Sequence, residues 1–105
     1  MMEVEEIDVE RASATLGDFF VIDVRSREEF DGPLGRVPGA RCVPLAELES
    51  ASAMFPPDTA ILVACRSGRR SALACERLDA LRPGRAVNLA GGMLAWNEAG
   101  LPVER

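Results

Sequence analysis

The stretch from Ala60 to Leu81 constrains this chain more than any other. Five apolar residues, Ala60-Ile61-Leu62-Val63-Ala64, stop at the polar loop Cys65-Arg66-Ser67-Gly68-Arg69-Arg70. A helical pattern then runs from Ser71 to Leu81, with Ala74, Leu78 and Leu81 on one face and Pro83-Gly84 just beyond its end. A short unbroken apolar run suits a strand buried on both faces of a parallel sheet. A helix that follows at once, and is stopped by Pro-Gly, completes one strand-loop-helix unit.

The same alternation recurs along the chain. Asp8 to Leu16 reads as a helix with Asp8 as N-cap and Gly17 as terminator. Phe19-Phe20-Val21-Ile22 is a second buried strand, ending at Asp23. Ser26 and Glu29 have capping-box spacing, so a short helix starts there and breaks near Gly32-Pro33. Arg41-Cys42-Val43 predicts a short strand, Leu45 to Met54 a helix closed by Pro56-Pro57, and Ala86-Val87-Asn88-Leu89 a further strand. Gly91-Gly92 opens a last helix that ends at Gly100. The predicted fold is α/β: one domain over residues 1–105, with a mostly parallel, roughly five-stranded sheet covered by helices on both faces. In such sheets ligands bind where strands end and loops lead into helices.

Composition narrows the function. The net charge is −5, and an acidic chain is a poor nucleic-acid binder, because phosphate contacts need a basic surface. The acidic start, Glu3, Glu5 and Glu6, reads as a solvated face. It is unlike a signal peptide, and no apolar run approaches a membrane span, so a cytoplasmic location with no membrane partner is expected. There is no histidine, which removes every Cys-His and Ser-His catalytic pair. The three cysteines, Cys42, Cys65 and Cys75, are odd in number and form no Cys-x-x-Cys pair. Neither a disulfide framework nor a metal site is expected, and no cofactor is called for.

The loop Cys65–Ser71 joins three features that suit anion chemistry. Cys65 stands at the carboxyl end of a strand, exposed where ligands usually bind. The helix N-terminus offers free N–H groups and a favourable dipole. Gly68 lets the backbone curl so that successive N–H groups face one centre, and Arg66 and Arg70 add positive charge. Such surroundings lower a thiol pKa to somewhere between about 3.5 and 7.5, which would give a thiolate nucleophile without a base. Cys42 and Cys75 read as core residues, with a lesser prospect that one resolves an oxidised or persulfidated Cys65. Trp96 reads as core, Met93 as either core or pocket mouth, and Arg69 as either solvent-facing or part of the site.

Four motifs then resemble the rhodanese family along nearly the whole chain. Val21-Ile22-Asp23-Val24-Arg25, followed by Glu29-Phe30, looks like its early strand motif. Gly35-Arg36-Val37-Pro38-Gly39-Ala40 is similar to its Gly-His-Ile-Pro-Gly-Ala turn, with Arg36 in the histidine's place. Cys65–Ser71 resembles the active-site loop of single-domain sulfurtransferases, and Gly91-Gly92, Trp96 and Gly100-Leu101-Pro102 match the C-terminal pattern. The resemblance implies Cys65 as a persulfide carrier. It implies Arg66, Ser67, Gly68, Arg69, Arg70 and Ser71 as the substrate-binding loop, and Asp23 and Arg25 as supporting residues. The resemblance names no substrate; the charged loop itself suits a small anionic sulfur donor such as thiosulfate, with a thiol or cyanide acceptor and a sulfur-relay protein as a potential partner.

Two other readings stay open. Phosphatase and arsenate-reductase relatives of this fold space the loop as Cys-x5-Arg, whereas Cys65 to Arg70 is Cys-x4-Arg, a tighter loop that suits a compact sulfur centre. A non-catalytic interaction module is the third reading, though such modules usually lack the cysteine.

Overall fold

Residues 4–105 are described in a computed structural model. Five strands form one sheet: β1 (Glu5–Ile7), β2 (Phe19–Asp23), β3 (Arg41–Cys42), β4 (Ala60–Ala64) and β5 (Ala86–Leu89). Their order is β1-β5-β4-β2-β3, with every neighbouring pair parallel. The helices are α1 (Val9–Ala14), α2 (Arg27–Phe30), α3 (Leu48–Ser52), α4 (Arg69–Leu81) and α5 (Gly92–Glu98).

Alternation along the strands divides the core into two layers. Ile61, Val63 and Cys65 of β4 and its exit face one side, with Ile22 and Val24, against Leu48 of α3 and Ala74, Cys75 and Leu78 of α4. Leu62 and Ala64 face the other side, with Val21, Val87 and Leu89, against Val9 and Ala12 of α1 and Met93 and Trp96 of α5. Apolar area removed from water on both faces is the main term that holds such a sheet together. Trp96 is fully buried, and its indole N–H donates to the Pro102 carbonyl at 2.8 Å, so the ring packs without an orphaned donor.

The predicted elements are present, with shifts at their edges. Glu5 and Glu6 are exposed, as expected of a solvated face, and with Ile7 they also form a strand that pairs with Val87–Leu89; Glu3 lies outside the described residues. Helix α1 ends before Gly17. The Thr15 hydroxyl donates to the Arg11 carbonyl and a 3₁₀ turn, Leu16–Asp18, follows, so Gly17 is not the terminator. The segment from Leu45 begins as a 3₁₀ turn and becomes α-helical only at Leu48. Helix α4 starts at Arg69, two residues before Ser71. That places Arg69, Arg70 and Ser71 in its first turn, where backbone N–H groups have no partner within the helix.

Candidate functional site

Cys65 follows β4 and begins the turn into α4. Gly68 caps the helix in the left-handed conformation, φ 95°, and a Cβ there would lie 3.1 Å from the Gly91 nitrogen. This curl brings two N–H groups onto the sulfur. Gly68 N donates to Cys65 Sγ at 3.1 Å and Ser71 N at 3.3 Å, with the Ser71 hydroxyl oxygen also 3.3 Å away. Burial raises the Cys65 pKa. The backbone N–H groups of Ser71, Gly68 and Ser67 that bond the sulfur lower it, and the thiol lies below an ordinary cysteine.

Two expectations for this loop are corrected. Cys65 is not exposed: its relative accessibility is 0%, because the loop folds over the sulfur that it serves. Nor is the charge of Arg70 free for the thiol alone: it acts on Cys65 across space while its guanidinium is held by Glu29. Arg70 turns away into a two-pronged pair with Glu29, Nη1 to Oε1 at 2.7 Å and Nη2 to Oε2 at 2.9 Å. Chiefly through Arg70, the Glu29 carboxyl is held down to about 2. Glu29 also closes the Ser26 capping box, so one carboxylate ties α2 to the first turn of α4. Arg66 and Arg69 are exposed, and so is Ser67, whereas Gly68 and Ser71 are buried.

Behind the sulfur lies a polar chain. Asn88 points to the α4 side of β5, because Val87 and Leu89 point to the other. The Ser71 hydroxyl donates to Asn88 Oδ1, and Asn88 Nδ2 donates to Gly68 O at 3.1 Å and to Glu6 Oε2 at 3.0 Å. Sequence reasoning missed Asn88 and Glu6. Their signal was an amide inside an otherwise apolar strand and a carboxylate directly beside it in the β1–β5 register.

Asp23 and Arg25, named above as supporting residues, form an ion pair, fully buried at the end of β2. Arg25 Nε lies 2.9 Å from Asp23 Oδ1, and Nη2 lies 2.8 Å from Oδ2 and 2.7 Å from Gly35 O. The pair thus pins the Gly35 turn beside the site. Arg36 lies over the Phe30 ring, 4.5 Å from its centre, and bonds Asp31. Cys75 is buried and its thiol is pushed up to about 12, chiefly by burial; burial also raises Cys42, which is half-buried. Met93 is fully buried, so it is core rather than pocket mouth. Its N–H donates to the Cys65 carbonyl at 2.8 Å, and Leu94 N donates to the Arg66 carbonyl at 3.0 Å, which seats the loop on α5.

A cleft of about 300 Å³ opens beside the loop, lined by Arg25, Glu29, Pro33, Leu34 and Arg66. A second cleft, of about 400 Å³, lies where β2 and β4 begin. Glu5, Glu6 and Asp8 line it with Arg11, an acidic setting that disfavours anions. Among the described residues no group of three or more His, Cys, Asp or Glu side chains could hold a metal ion. No helix among them is long and apolar enough to cross a membrane.

Residues 8–99 match the family model described as "Rhodanese-like domain". The chain is 36% identical over 103 residues to a protein of Allochromatium vinosum named "Sulfurtransferase", covering 95% of this chain and 94% of that one. It is 31% identical to "Thiosulfate sulfurtransferase 18" of Arabidopsis thaliana, covering 96% of this chain and 84% of that one. Among solved structures, a rhodanese-related protein from Thermoplasma volcanium superposes with a TM-score of 0.84 at 28% identity, covering 93% and 95% of the two chains.

Proposed function

The chain belongs to the rhodanese-like domain family, and from that membership and the loop geometry we propose that it is a sulfurtransferase carrying sulfane sulfur as a Cys65 persulfide. The observation that carries this reading is the convergence of the Gly68 and Ser71 N–H groups on Cys65 Sγ. Donors held at the sulfur stabilise a thiolate, and they remain in place for the negative charge of a persulfide.

The thiosulfate-named relative supports thiosulfate as a donor for this chain. Its oxygens would lie in the cleft against Arg66, since a guanidinium binds such oxygens through paired hydrogen bonds. The Cys65 thiolate attacks the outer sulfur, the bond to the sulfonate-like group breaks, and sulfite leaves with the electron pair. A thiolate or cyanide acceptor then attacks the terminal sulfur, and the Cys65 thiolate is the leaving group. Cys65 is buried, so the donor approaches it past the exposed Arg66-Ser67 end of the loop.

The test is an intact-mass measurement after incubation with thiosulfate, run beside Cys65→Ser. The parent gains one sulfur atom that cyanide removes, and the variant gains none. A parent that gains nothing, or a variant that still does, overturns the reading.

Glu29 sets a second expectation. Thiosulfate competes with Glu29 for Arg70, and a half-exposed pair of this kind is worth about 1 kcal/mol or less. Glu29→Gln keeps the capping geometry and releases Arg70, so KM for thiosulfate falls by up to about fivefold with kcat little changed. Steady-state kinetics on both proteins read this directly, and a raised KM would show that the pair is needed in its present form.

A further inference from the structure

The chain Glu6–Asn88–Ser71 bears on which way the proton between Ser71 and Cys65 points. Asn88 can present its amide in only one orientation, because Glu6 Oε2 and Gly68 O both accept and cannot donate. Its nitrogen must face them, which leaves Oδ1 facing Ser71. Oδ1 is itself only an acceptor, so the Ser71 hydroxyl must donate to it. A hydroxyl has one proton. With that proton given to Asn88, the Ser71 oxygen can only receive a hydrogen bond across its 3.3 Å contact with Cys65 Sγ.

We propose that Asn88, fixed by Glu6 on the edge strand, is a positioning residue that turns the Ser71 hydroxyl away from Cys65 and makes it an acceptor for the thiol rather than a donor to the thiolate. The backbone N–H groups of the loop, those of Gly68 and Ser71 foremost, then stabilise the anion, and the hydroxyl oxygen opposes them. Such opposition has a use in sulfur transfer. Thiolate nucleophilicity falls as thiol pKa falls, so a fully solvated nest would yield an abundant but sluggish anion. The Ser71 lone pair holds the ionisation back and keeps the sulfur reactive.

The test is the pH dependence of thiolate absorbance in the ultraviolet, with the same scan of Cys65→Ser subtracted. It reads the Cys65 proton whether or not any sulfur is transferred, so its failure and that of the proposed activity are distinguishable. The charged and titratable groups around Cys65 are Arg66 and Arg69 of its own loop, Arg70 with its partner Glu29, the Asp23–Arg25 pair ending β2, Glu6 on β1, and the Cys75 thiol on α4. None of them hydrogen-bonds to Sγ, and Ser71→Ala leaves all of them in place.

The expected result is that Ser71→Ala moves the Cys65 titration to lower pH, because it deletes the acceptor that favours the protonated thiol. A move to higher pH would show the hydroxyl donating to the thiolate and would overturn the proposal, as would no move at all. Asn88→Ala frees the hydroxyl to turn toward the sulfur. It also lowers the titration while Ser71 is present, and does so less when combined with Ser71→Ala. If Asn88→Ala does not fold, the sign of the Ser71→Ala shift decides the matter alone.

Discussion

Asp23→Ala is expected to destabilise the protein by about 3–5 kcal/mol, the range for removing one partner of a buried ion pair. Arg25 is 1% exposed, and its guanidinium has Asp23 as its ionic partner. Without the carboxylate, a full positive charge stays in the core with the Gly35 carbonyl as its remaining hydrogen-bond partner among the described residues. The Arg25 backbone N–H also loses its acceptor, Asp23 Oδ1 at 3.0 Å. Denaturant titration of parent and variant measures the loss. The companion variant Asp23→Ala with Arg25→Met costs clearly less than Asp23→Ala alone, since an apolar side chain of similar length needs no counter-charge. A single substitution that costs under about 1 kcal/mol would mean that water reaches Arg25 and that the pair does not hold the Gly35 turn.

Gly92→Ala is expected to strike both stability and sulfur loading. Gly92 sits at φ 58°, and a Cβ there would lie 2.5 Å from the Cys65 carbonyl oxygen and 2.6 Å from that of Arg66. Both obstacles are backbone, so no side chain can move aside. The left-handed conformation alone costs an alanine about 1–2 kcal/mol. Pushing α5 off the loop also strains the bonds from Met93 N and Leu94 N to those same carbonyls. A total of about 3 kcal/mol or more is expected, which places the change among the severe substitutions. The same displacement shifts Cys65 against its N–H donors. A misplacement of about 1 Å can cost about a hundredfold in rate, so persulfide formation well below the melting point is expected to slow by that order. Gly17→Ala is the control: its Cβ meets nothing within 4 Å, and stability should change by no more than about 0.5 kcal/mol.

Much of this was legible in the residue order, and the reason is the range over which each signal acts. The buried strand Ala60–Ala64, the break at Cys65 and the helix after it follow from periodicity and turn chemistry within a few residues of one another. So does the Ser26–Glu29 capping box, whose partners are three residues apart. The placement of Cys65 against a helix N-terminus is likewise local. The family motifs added the order in which these pieces occur.

What only the tertiary structure decided are contacts between residues far apart in the chain. Arg70 reads as a cation for the loop, yet a carboxylate 41 positions earlier takes it. Glu6 reads as a solvated acid, yet it braces Asn88, 82 positions later, because β1 lands beside β5. Cys65 reads as exposed because strand ends in open sheets usually are, yet the fold closes α5 and the loop over it. A sequence states which groups are available and how each segment curls. Which acceptor a given donor meets is decided when strands from distant parts of the chain take neighbouring places in the sheet. That choice sets the hydrogen-bond partners of Cys65 and of Arg70.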